Sequence, residues 1–222
     1  MISKTNIEDI YWTLQSSITV REQGDYSQFY AHLEQTFLEG VKNGCGNLTV
    51  PEFTNNFIQA FLNNMRKISV RALILEMELC SDFGELQGEN EEEQYCYFTE
   101  HILCDPSFQK EIYKAYPIMY RDLFSSLTLS VQSICEMLKR FEEDNSEINS
   151  RFFKENPCHK ILKIDGGDSD AHRGGRRVLI LEMDNGEKLI YKPRNLALDE
   201  AYVLFLQWIC ENVGMEYWWN TV

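Results

Sequence analysis

The chain has 222 residues, 44% hydrophobic and 13% aromatic, with 35 acidic against 21 basic side chains and a formal net charge of −14. This length and apolar content allow a buried core, while the acidic balance argues against a nucleic-acid-binding body, which needs basic clusters to meet phosphate. The seven cysteines (45, 80, 96, 104, 135, 158, 210) include no CxxC pair, so neither a zinc signature nor a disulfide framework is expected and reduced thiols are the default.

The opening residues MISKTNIEDIYWTLQ carry acidic side chains and no continuous apolar segment, unlike a signal peptide. No apolar run reaches the roughly 18 residues that span a membrane. A soluble, cytoplasmic chain without a membrane span is expected. In chain order, Ile7, Ile10, Tyr11, Leu14 and Ile18 recur at three- and four-residue steps and predict a helix over residues 1–23. A second helix over 26–42 aligns Phe29, Leu33, Phe37 and Val41, and Asn43-Gly44-Cys45-Gly46-Asn47 reads as a loop. Pro51 stands near the start of a third helix carrying Phe53, Phe57, Ile58, Phe61, Leu62 and Met65, whose aromatic stripe is expected to be core. Residues 81–94, rich in Glu around Gly84 and Gly88, read as a solvated loop. A short helix over 96–104 follows, and Asp105-Pro106 marks a new helix by N-cap and first-position proline. Tyr116-Pro117 precedes a long helix over about 118–145.

Near His159 the pattern changes. Ile161–Ile164 is a short apolar run, Val178–Leu181 a second, and Leu189–Tyr191 a third, the last two joined by Asp184-Asn185-Gly186, a strong hairpin signal. Pro193 ends the third strand, and residues 196–213 return to helical spacing. The predicted fold class is α+β: a mainly helical region, residues 1–157, followed by a small antiparallel sheet and helix, residues 158–222.

Between the first two strands lie Gly166-Gly167 and Gly174-Gly175, flanking Asp168, Asp170 and His172. Gly174 and Gly175 permit close approach of backbone N–H groups to an anion, although a plain hairpin loop accounts for them equally well. Lys192 closes the third strand, and the hairpin brings that strand back beside the one leaving the loop, so loop and lysine can face one phosphate. Asp170 and His172, two residues apart, point the same way on an extended backbone and can share a proton-transfer role; the bland alternative is a polar loop that satisfies its own turns. Arg173, Arg176, Arg177 and Arg194 make the one basic cluster of an acidic chain. No metal-ligand spacing is present, and His32, His101 and His159 have no partner spacing that would assign them a role.

The run DAHRGGRRVLILEMDNGEKLIYKPRNLALDEAYVLFLQWI closely resembles the dehydratase domain of class II lanthipeptide (lantibiotic) synthetases, and DPSFQKEIYKAYPIMYRDLFSSLTLSVQSICEMLKRFEEDNSEI resembles the helical segment that precedes it. The resemblance is strong over about residues 105–210; residues 1–100 fit the family's helical region loosely. It implies a lipid-kinase-like domain that phosphorylates Ser and Thr of a precursor peptide with ATP and Mg²⁺, then eliminates phosphate, with residues 158–222 as its incomplete N-lobe, while a separate zinc-dependent cyclase domain closes thioether rings. By that pattern Lys192 matches the lysine that contacts ATP phosphates, and Asp170 and His172 match the loop pair of the elimination step. One departure is Ser169, where the family often has Gly; Asp168, after Gly167, stands too far from His172 to replace Asp170. The kinase catalytic loop, the Mg²⁺ ligands and the cyclase domain have no counterpart before Val222, so the chain is expected to be a truncated piece, inactive alone. A reading from a different class is a non-catalytic helical module that binds the precursor peptide through its acidic surface.

Overall fold

A computed structural model describes residues 3–14, 26–166 and 176–213. The chain divides into two compact units, Met1–Tyr191 and Lys192–Val222.

In the first unit, α1 (Lys4–Thr13) starts at Ser3, whose hydroxyl accepts the Asn6 N–H while the Asn6 side chain reaches back to the Ser3 N–H. This reciprocal cap satisfies two otherwise unpaired donors. The rest of the helix expected over 1–23 falls outside the described residues. Helix α2 (Ser27–Cys45) buries Phe29, Leu33, Phe37 and Val41, the stripe its sequence predicts. It runs through Asn43 and Gly44 and ends only at Gly46, which adopts φ 60. The expected loop therefore starts later, because left-handed geometry rather than loop-like composition stops the helix. Gly40 explains how closely the helices pack: a Cβ there would lie 2.7 Å from Ile7 of α1 and 3.1 Å from Val131 of the long helix α6 (Pro117–Phe152).

Pro51 does not open the third helix. It precedes a two-residue strand, β1 (Glu52–Phe53), and the cap of α3 (Asn55–Asp82) is Thr54. The acidic run is likewise no plain loop, since Asn90 caps α4 (Glu91–Tyr97), accepting the Glu93 N–H at 2.9 Å. Glu91, Glu92 and Glu93 occupy its first turn, where the positive end of the helix dipole favours them. A π-helical turn (Phe98–Ile102) follows. Helix α5 (Pro106–Ala115) begins as its sequence predicts, with Asp105 accepting the Ser107 N–H at 2.9 Å.

Three further strands, β2 (Ile161–Asp165), β3 (Leu179–Met183) and β4 (Lys188–Tyr191), complete a four-stranded sheet in the order β1-β2-β3-β4. The two later pairings are antiparallel, as expected, but β1 pairs parallel with β2 at Glu52–Lys163 and Phe53–Ile164. The sheet is thus mixed, a correction to the antiparallel sheet expected from the sequence. A two-residue strand lacks the alternation that announces one. Leu179, Leu181 and Met183 turn inward from β3 and, with Ile161 and Ile164, join the core formed by the helices. Gly186 at φ 85 makes the β3–β4 turn, consistent with the Asn-Gly signal.

The second unit contains α7 (Ala197–Val213). The Asn195 side chain accepts the Ala197 N–H at 2.8 Å, and Arg194 pairs with Asp199 at 2.8 Å. Leu198, Tyr202, Phe205 and Trp208 are exposed, with the Phe205 and Trp208 rings stacked at 6.4 Å. Among the described residues, no helix is long and apolar enough to cross a membrane.

Candidate functional site

The glycine-rich segment leaves β2 at Asp165–Gly166 and returns at Arg176–Arg177, and both ends are held by helices. Thr54, the cap of α3, donates its hydroxyl to the Asp165 carboxylate at 2.7 Å. One residue on, Gly166 lies so close to α3 that a Cβ would sit 3.0 Å from Phe57 Cδ2 and 3.6 Å from the Phe57 backbone. No larger residue fits this approach without moving Phe57, which is itself packed against Phe37 and Phe53 at centroid distances of 5.8 and 4.9 Å.

At the returning end the two arginines part. The Arg176 guanidinium reaches α6 and pairs with Glu136 at 3.1 Å. The same carboxylate holds Arg140, one helical turn further on, and Arg140 donates to the Tyr191 hydroxyl at 3.1 Å. One acidic residue of α6 thus ties together the start of the returning segment and, through Arg140, the last residue of β4. Arg177 turns inward and is 8% exposed, its guanidinium 5.7 Å from the Phe57 ring centroid, within reach of a cation–π contact. Ser130, Ser133 and Ile134 of α6 line the small gap beside it. Burial pushes its pKa below the ordinary arginine value, yet a guanidinium remains charged.

These partners change the meaning of the basic cluster. Arg176 pairs with Glu136, which it shares with Arg140, and Arg194 pairs with Asp199, while Arg177 is buried against an aromatic ring. The arginines act first as ties within the fold, and Lys192 is exposed. Register adds one relation: Leu179 pairs with Tyr191, so the residue before Lys192 stands opposite the start of β3. Asp168, Asp170, His172, Arg173, Gly174 and Gly175 lie outside the described residues.

Sequence reasoning missed Thr54 and Glu136, and read Phe57 only as core. Thr54 carried a legible cap signal, and Glu136–Arg140 a legible four-residue spacing. Their partners at Asp165 and Arg176 lie 111 and 40 residues away, beyond what local spacing reveals. Among the described residues, no group of three or more His, Cys, Asp or Glu side chains could hold a metal ion.

The described residues thus place a glycine-rich segment between strands of a small mixed sheet, with both of its ends fastened by side chains of the helical body. Residues 116–219 match the family described as a domain of unknown function, DUF4135. Over 140 residues the chain is 29% identical to the lacticin 481/lactococcin biosynthesis protein LcnDR2 of Lactococcus lactis subsp. lactis. The aligned stretch is 63% of this chain and 15% of that protein, so the chain corresponds to a small part of its relative's length. The resemblance read from the sequence is thus supported by the chain's similarity to a protein of lacticin 481/lactococcin biosynthesis.

Proposed function

We propose that the chain is part of a lanthipeptide dehydratase, in which residues 158–222 form part of a kinase-like N-lobe and residues 1–157 its helical support. The carrying observation is the alignment with a lacticin 481 biosynthesis protein, together with a family match that includes both the long helix and the hairpin. In this reading Ser and Thr side chains of a precursor peptide are phosphorylated with ATP and Mg²⁺, and phosphate is then eliminated to leave dehydroamino acids. The acidic ligands that phosphoryl transfer requires, and the zinc-dependent cyclase that closes thioether rings, would belong to other parts of such an enzyme.

Within this chain Lys192 would set its ammonium against ATP phosphate oxygens, a point charge suited to that role. Gly174 and Gly175 would let backbone N–H groups approach the same oxygens. Asp170 would hold and raise the basicity of His172, which would take the proton lost when phosphate departs. The fastening of Asp165 by Thr54 and of Arg176 by Glu136 supports the reading, because a phosphate-gripping segment works best on rigid ends.

The test is mass spectrometry of a precursor peptide treated with an enzyme of the relatives' full length that carries this segment. Lys192→Ala should stop modification. If the chain instead served only as a non-catalytic peptide-binding module, Lys192→Ala would leave the peptide's dehydration unchanged.

A further inference from the structure

Two cysteines far apart in sequence meet between the two helices that form the centre of the first unit. Cys45 is the last residue of α2, and Cys135 lies in the middle of α6. Their sulfurs are 3.1 Å apart, with the Cys45 thiol placed to donate to Cys135 Sγ. The Cys135 sulfur also faces the Val41 carbonyl at 3.8 Å. A disulfide requires about 2 Å between sulfurs, so the remaining closure is about one ångström. Cys45 is the final residue of α2, next to Gly46, so the shift falls at a helix end rather than within a helix.

We propose that Cys45 and Cys135 are a site of reversible oxidation, closing a disulfide between α2 and α6 when the protein meets a peroxide or a low-molecular-weight disulfide. The two thiols are unequal. Cys45 is buried, and sharing its proton with Cys135 as well as burial raises its pKa; Cys135 is only half-buried, and accepting that hydrogen bond lowers its own. Cys135 is therefore the attacking sulfur. With hydrogen peroxide, its thiolate breaks the O–O bond, keeps one oxygen as a sulfenic acid and expels the other as hydroxide, which takes up the proton lost from the thiol to become water. The Cys45 sulfur then displaces the sulfenic oxygen as a second water, and the S–S bond forms. Two thiols are oxidised and one peroxide is reduced; a dithiol reductant reverses the change.

The position gives the bond a consequence. The residue after Cys135 is Glu136, the carboxylate that holds Arg176 and Arg140. Ile134, before it, lines the gap beside Arg177. A covalent tie at Cys135 thus fixes the turn of α6 on which the returning end of the glycine-rich segment rests.

The experiment is peptide mapping of the chain after graded hydrogen peroxide, with free thiols blocked before digestion. Exposed Cys96 reports that oxidant has acted, and buried Cys80, if it stays reduced, reports that the fold is intact. The expected result is a Cys45–Cys135 linked peptide that forms while Cys80 is still a thiol and vanishes on reduction. In Cys45→Ser, a sulfenic-acid probe should label Cys135; in Cys135→Ser, Cys45 should stay unlabelled. The proposal fails if both cysteines remain thiols at doses that oxidise Cys96, or if Cys135 is found paired with any other cysteine. The linked peptide is sought in the unaltered chain, so the test stands even where a variant does not fold.

Discussion

The Thr54 hydroxyl donates a 2.7 Å hydrogen bond to the Asp165 carboxylate while its oxygen accepts the Phe57 N–H at 3.3 Å. A single side chain therefore starts helix α3 and fastens the end of strand β2. Removing it costs both functions at once. Thr54→Val should destabilise the fold by about 1–2 kcal/mol, measured by urea unfolding, whereas Thr54→Ser should lose much less. Equal losses in the two variants would show that the hydroxyl fastens nothing.

The approach of Gly166 to Phe57 gives a second test. A methyl group at 166 would press on Phe57 Cδ2 at 3.0 Å, and that ring is held by Phe37 and Phe53. Gly166→Ala should cost about 1 kcal/mol or more as local overpacking. Trimming the obstruction with Phe57→Leu should make the added methyl less costly, a coupling that a double-mutant cycle in urea would read. Additive effects would rule out the close approach as the cause.

These two contacts also show where the sequence was legible and where it was not. The apolar stripe of α2, the Asp105-Pro106 start of α5 and the hairpin at Asn185-Gly186 could be read directly, because their signals lie within a few residues. Strand β1 could not be read, since two residues show no period and its partner is more than a hundred positions away. The acidic run at 91–93 misled for a related reason: charge suggested a loop, but Asn90 turned the same charges into a favourable first helical turn. At the candidate site, Lys192 and the two arginines were visible as residue types. The acid that engages Arg176 was not, because Glu136 lies 40 residues away on α6.

Glu136 allows a prediction that separates stability from local fastening. Its ion pairs with Arg176 and Arg140 are partly exposed, so Glu136→Gln should change global stability by less than about 1 kcal/mol. The end of the glycine-rich segment should nonetheless open more often, and trypsin should cut after Arg176 faster in the variant than in the parent chain. An unchanged cleavage rate would mean that Glu136 does not hold this end.

A buried histidine sets a pH dependence. His32 stacks on Tyr11 at 4.0 Å between ring centroids, and its Nε2 lies 2.7 Å from the Tyr11 carbonyl oxygen. Burial lowers its pKa from the ordinary 6.5. The unfolded chain then binds a proton at a pH where the folded chain does not, so stability is complete above about pH 6.5 and is lost as pH falls through the folded value. Urea unfolding at pH 7.5 and at pH 5.5, each about one unit from the ordinary histidine value, should show a larger loss in the parent chain than in His32→Gln. Parallel losses would assign the pH effect to other groups.

In the proposed dehydration, Lys192 would hold phosphate and His172 would move a proton. The most direct test is the mass of a precursor peptide after incubation with ATP, Mg²⁺ and an enzyme of the relatives' full length that carries this segment, comparing parent, Lys192→Ala and His172→Ala. Lys192→Ala should return the peptide unmodified, and His172→Ala should let phosphorylated peptide accumulate without the loss of phosphate. Normal dehydration by either variant would contradict the role proposed for that residue, and normal dehydration by both would contradict the account.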